Sequence, residues 1–187
     1  MNKVSGKKSS FNLISEDASR TVIGYGCKKV TGKSLYEWYE IYIYKTKKGS
    51  ISLQDVKEAI IADIDARTDE KILSGFVWNV PQVGGEPISI NVWLSAENQR
   101  NFSEAQRMAA TAPNEVLPLR FKLGEDENGA PVYHEFTTVE ELNDFYFSAF
   151  GYINQCLNDG WAEKDAIDWS EYEALYPVPE QAANVEE

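Results

Sequence analysis

His134 is the only histidine of the 187-residue chain, and it stands in "PVYHEF", a segment whose residues predict a strand. One imidazole can act alone as an acid or base, but it cannot by itself build a metal cluster or a two-histidine zinc centre. A serine triad would have to use it, and no G-x-S-x-G elbow occurs. Cys27 and Cys156 are the only cysteines, far apart and without a CxxC pair. Neither a disulfide framework nor a zinc site is implied, and a reduced compartment fits. The acidic run "GEDENG" (124–129) lacks oxygens at the alternate positions of an EF-hand and no bidentate Glu follows at the twelfth, so a polar hairpin turn is expected. Gly24 and Gly26 are followed by no Lys-Ser or Lys-Thr pair and no helix. They suit close strand approach or a bulge, not a phosphate loop. No catalytic residue, metal ligand or cofactor site is expected, and the chain reads as a non-enzyme.

What remains is aromatic. "LYEWYEIYIYKTKK" (35–48) carries five rings, at Tyr36, Trp38, Tyr39, Tyr42 and Tyr44. As a strand it would present Tyr36, Trp38, Tyr42 and Tyr44 on one face, with Glu40 between them. Leu35, Glu37, Tyr39, Ile41 and Ile43 would occupy the other. Both faces are apolar, so something must cover the second: another part of the chain, a sugar or a partner protein. Trp38 and Tyr42 are the candidate protein-contact anchors, and Lys45, Lys47 and Lys48 the candidate basic rim.

The elements that must position these residues are legible in outline. "TVIGYGCKKV" and the aromatic stretch, separated by "TGK", predict a hairpin. Ser52 is placed to cap a first helix at Asp55, with Ile51 and Val56 as a hydrophobic staple; the helix is expected to fade at "ARTDE". "KILSGFVWNV" and "ISINVWL" predict a second hairpin across "PQVGGEP". Ser95 caps a second helix that Pro113 stops. "LPLRFKL" and "PVYHEF" predict a third hairpin. A closing helix starts at two overlapping capping boxes, Thr137 with Glu140 and Thr138 with Glu141. Leu142, Phe145, Tyr146, Ala149, Phe150, Ile153, Cys156 and Leu157 are expected to line it, with Phe150 buried. Gly160 is expected to end it, and "WAEKDAIDW" to add a short helical piece. The fold class is therefore α+β, antiparallel hairpins alternating with three main helices, the closing helix packing on the sheets. The expected divisions are a flexible basic arm over 1–19, a hairpin plus helix over 20–70, an α+β domain over 71–170 and a disordered acidic tail over 171–187.

Charge limits the partners. The net charge is −12, split into +6 through Ser50 and −18 after it. Such a field disfavours nucleic acid. Segments of opposite sign can attract within one molecule or between copies, or be solvated faces. No apolar run approaches the ~20 residues of a membrane helix, and "MNKVSGKKSS" leads into no apolar core of a secretory signal. The protein is expected to be cytosolic when made.

Over residues 20 to 170 the chain resembles an uncharacterised domain family of tail-region proteins of bacteriophages and prophages, with relatives in Bacteroides-type phages. The resemblance rests on the Gly-Phe-x-Trp strand of "KILSGFVWN", on "VWLSAENQRNF", on "LPLRFKLG", and on "HEFTTVEELNDFYFSAFGYINQCLNDGWAEKDAIDW". "LYEWYEIYIYKTKK" and "DVKEAIIADIDARTDEKILSGFVWN" look like relatives of the same family. The segment "VPQVGGEPIS" departs from the pattern by lengthening a turn. These motifs are structural. They imply a non-enzymatic virion component, in the tail or a tail-fibre attachment, first made in the host cytoplasm. Its expected partners are other virion or tail proteins and further copies of itself. A tail-fibre assembly factor absent from the finished particle and a carbohydrate-binding module are the alternative readings.

Overall fold

In the computed structural model the described residues are 2–7, 13–44, 51–80, 86–126 and 128–176. Strands and helices mix in an α+β fold whose sheets are antiparallel. The chain divides into two compact units, unit 1 comprising 1–66 and 160–187 and unit 2 comprising 67–159. This differs from the expected boundaries, because the C-terminal segment packs into the core of unit 1.

Unit 1 is built on a four-stranded sheet of order β1-β4-β3-β2, with β1 at Asn2–Gly6, β2 at Ser15–Glu16, β3 at Arg20–Lys29 and β4 at Tyr36–Tyr44. The expected hairpin is β3–β4, in register Ile23 to Ile41 and Tyr25 to Tyr39, with an irregularity between Tyr25 and Lys28. The expectation of a flexible arm over 1–19 is corrected for the residues described: β1 pairs along β4 from Asn2 with Glu40 to Gly6 with Tyr36, and β2 pairs β3. Backbone pairing needs no apolar side chains, so a lysine-rich stretch can supply an edge strand. Helix α1 (Leu53–Leu73) starts where Ser52 predicts. The Asp55 amide donates to Ser52 Oγ at 3.2 Å while the Ser52 amide donates back to Asp55 Oδ2 at 2.8 Å. Val56, Ile60 and Ile64, one helical turn apart, are fully buried with Ile23, Tyr25 and Ile41.

The tail is likewise corrected over 171–176. Helix α5 (Ser170–Glu173) turns Tyr172 and Tyr176 into that core, and the Tyr172 hydroxyl donates to the Gly24 carbonyl at 2.9 Å. Residues 177–187 lie outside the described residues.

In unit 2, β5 (Phe76–Val80) pairs with β6 (Ile88–Val92), and β7 (Leu119–Glu125) with β8 (Pro131–Phe136). The ribbons meet where the Trp93 amide donates to the Leu123 carbonyl. Helix α1 does not fade at "ARTDE" but runs to Leu73, so Lys71–Leu73 are helical, not strand. Gly75 makes the turn into β5 at φ +85°, and a Cβ there would stand 2.1 Å from the Val92 carbonyl oxygen, so only glycine fits. Helix α2 (Ala96–Thr111) is capped by Ser95, whose Oγ accepts from the Asn98 amide, and a short helix α3 (Pro113–Val116) follows. Helix α4 (Val139–Asp165) begins at one of the two expected boxes, the Glu141 amide donating to Thr138 Oγ1 at 3.2 Å. It does not end at Gly160. That glycine is buried inside the helix, which continues for another turn.

The eight apolar positions expected to line α4 span too wide an arc to be buried together. Leu142, Phe145, Ala149 and Cys156 enter the unit 2 core, whereas Phe150 is 50% exposed, against expectation.

Candidate interaction surfaces

The contact residues expected from the sequence separate in the structure. Trp38 is 7% exposed, too buried to anchor a partner, and its six-membered ring lies against β1, where a Cβ on Gly6 would come within 2.8 Å. Its indole N–H donates to Glu40 Oε1 at 3.1 Å. Part of the second face is thus covered by the chain itself. Further along β4 the same face opens: Tyr42 is 40% and Tyr44 69% exposed, and the Arg20 guanidinium lies 5.5 Å from the Tyr42 ring centroid. Lys45, Lys47 and Lys48 lie outside the described residues, as does most of the "PQVGGEP" turn.

In unit 2, two exposed surfaces carry rings. On the outer face of the β7–β8 ribbon the Arg120 guanidinium sits 4.4 Å from the centroid of Tyr133, and Lys122 Nζ sits 4.7 Å from that of Trp93. Each such pair contributes roughly 0.5–1 kcal/mol at an exposed site. On α4, Tyr146 contacts Phe147 and stacks with Phe150, at ring-centroid distances of 5.6 and 6.1 Å. Phe147 is 59% exposed and Phe150, one turn on, 50%. The sequence reading omitted Phe147. Its helical offset from Leu142, Phe145 and Ala149, which are buried, was the signal that this ring faces away from the core.

His134 lies inside a packed cluster. Its Nε2 is 2.8 Å from Glu141 Oε1, with the rings of Phe136 and Trp78 at 4.7 and 5.3 Å. Glu141 also accepts from the Thr137 amide, so the pair ties β8 to the start of α4. Asp126 of the "GEDENG" segment anchors a turn: its Oδ1 accepts from the Ala130 and Asn128 amides, and those bonds hold its carboxyl below the usual aspartate range; Glu127 lies outside the described residues. Neither Cys27 nor Cys156 forms a disulfide. Among the described residues no group of three or more His, Cys, Asp or Glu is placed to hold a metal ion, and no helix is long and apolar enough to cross a membrane.

No curated protein and no solved structure matches the chain. Residues 55–183, drawn from both units, match a family model, and the chain belongs to that family, described as Domain of unknown function (DUF4376).

Proposed function

We propose that this protein is a non-enzymatic structural component of a phage or prophage virion, in the tail or a tail-fibre attachment, and that it acts by holding other subunits. The observation that carries the contact role is the ring cluster on α4, Tyr146, Phe147 and Phe150, with the two phenylalanines about half exposed. Burying a whole phenylalanine is worth about 1.5–3 kcal/mol, so covering the exposed half of each ring contributes roughly half of that, and contiguous exposed rings are surface that a protein contact can use. The virion setting rests on the sequence resemblance to phage tail-region proteins.

Mass spectrometry of purified particles tests the setting. Stoichiometric presence supports the structural role; presence during assembly but absence from particles makes the protein a tail-fibre assembly factor. A variant with Phe147→Ser and Phe150→Ser tests the contact. It should fold as the parent does yet fail to join particles, and normal incorporation would sink the assignment of this surface. The exposed rings of Trp93 and Tyr133 favour a second reading, sugar binding, which a glycan array addresses.

A further inference from the structure

Unit 1 holds two small surfaces of opposite composition. The register of β1, β3 and β4 brings Lys7, Lys28, Lys29 and Lys33 to one end of the sheet, beside Tyr36 and the β3–β4 turn. All four lysines are exposed, and none forms an ion pair with a described residue. Glu37, which faces Lys28 across the ladder, is held by Lys3 at 2.6 Å. Among these lysines Leu35 is 39% exposed. The second surface runs from the end of α4 through α5. Asp165, Asp168, Glu171 and Glu173 are exposed there, and Leu175 is 40% exposed. Each surface sets one part-exposed leucine among charged neighbours, and the two surfaces carry opposite signs, the complementarity that steers association.

We propose that the β3–β4 turn end of one copy docks on the α4–α5 segment of a second copy, Leu35 against Leu175, with lysines facing carboxylates around them. A chain of net charge −12 repels phosphate polymers, so lysines that no described carboxylate pairs suit an acidic protein surface, and the chain carries one of opposite charge. Because the two surfaces differ, the contact is heterologous: it closes into a ring or a reciprocal dimer, or runs on as a filament. This goes beyond the contact role proposed above. It uses other residues and stands or falls separately.

The test is sedimentation velocity of the full chain in low and high salt, with circular dichroism as the folding check. The protein should self-associate at about 0.05 M salt and lose at least about tenfold in association constant near 0.5 M. Variant one, Lys7→Glu with Lys29→Glu and Lys33→Glu, leaves Lys28 opposite Glu37. Variant two, Asp165→Lys with Glu171→Lys and Glu173→Lys, keeps Asp168, whose carboxylate accepts from Ser170, and reverses the sign of this surface; its cation at the C-terminal end of α4 is where the helix dipole favours one. Each variant alone should be monomeric. Mixed, they present complementary signs at both contacts and should associate again. A monomeric parent at low salt overturns the proposal, as does association that survives either variant, or folded variants whose mixture stays monomeric. Association of the parent only after nucleic acid is added overturns it too.

Discussion

The largest fully buried rings of unit 1 are tyrosines, Tyr25 and Tyr172; those of unit 2 are phenylalanines, Phe136 and Phe145. In unit 2, Phe145 lies between 4.9 and 6.1 Å from the ring centroids of Phe76, Trp78, Phe102 and Phe136, mostly tilted or edge-on. Such rings are oriented by their quadrupoles, and the phenylalanines among them carry no polar atom into the core. In unit 1 each buried hydroxyl needs a partner. Tyr25 donates to Asp63 and Tyr172 to the Gly24 carbonyl. The phenylalanine core gains from contact area alone. The tyrosine core gains less per ring but fixes direction, at the cost of depending on protonation.

Four experiments can break or sharpen this contrast. Phe145→Ala removes a ring that four others touch, so unit 2 should lose about 3–5 kcal/mol in denaturant unfolding. A loss below about 1 kcal/mol would mean that its neighbours collapse into the space.

Next in size is an alkaline transition. Burial raises the phenols of Tyr172 and Tyr176, Tyr176 to about 12. The folded state therefore holds these protons more tightly than the unfolded chain, whose phenols titrate near ~10. The associated stability is complete below that value and lost as pH rises through the raised ones. Tyrosinate absorbance should show a late step accompanied by loss of helical circular dichroism. A Tyr172→Phe, Tyr176→Phe double variant should lack that step; its persistence would refute the assignment.

Tyr172→Phe alone leaves the Gly24 carbonyl without its hydroxyl donor and should cost about 1–3 kcal/mol in thermal unfolding. The smallest effect is expected for Phe150→Ala, within about 0.5 kcal/mol of the parent, because half of its surface is already in solvent. A loss of several kcal/mol would place this ring in the core after all.

Local signals in the sequence proved reliable where the structure uses local interactions. Ser52, Ser95 and Thr138 cap the helices assigned to them, and three hairpins form from the segments that alternate or carry turn residues. The misses are non-local or involve competition. Nothing near Val4 announces that it will pair opposite Trp38. Gly160 carries a helix-stop signal, but burial within α4 overrides it. The ring-rich strand carries apolar residues on both faces, yet the alternation does not say that the cover over Trp38 comes from β1. Apolar character alone does not separate Phe147 and Phe150, which are half exposed, from Leu142 and Phe145 of the same helix, which are buried.

Strand β1 has a practical consequence. It is a five-residue edge strand held to β4 by backbone pairing, and Trp38 rests against its last residue, Gly6. Deleting it should leave a vacant slot along Tyr36–Glu40 with an indole at its floor. A synthetic peptide copying the strand could refill that slot, so the protein lends itself to splitting into a donor strand and an acceptor body whose reunion is read by tryptophan fluorescence.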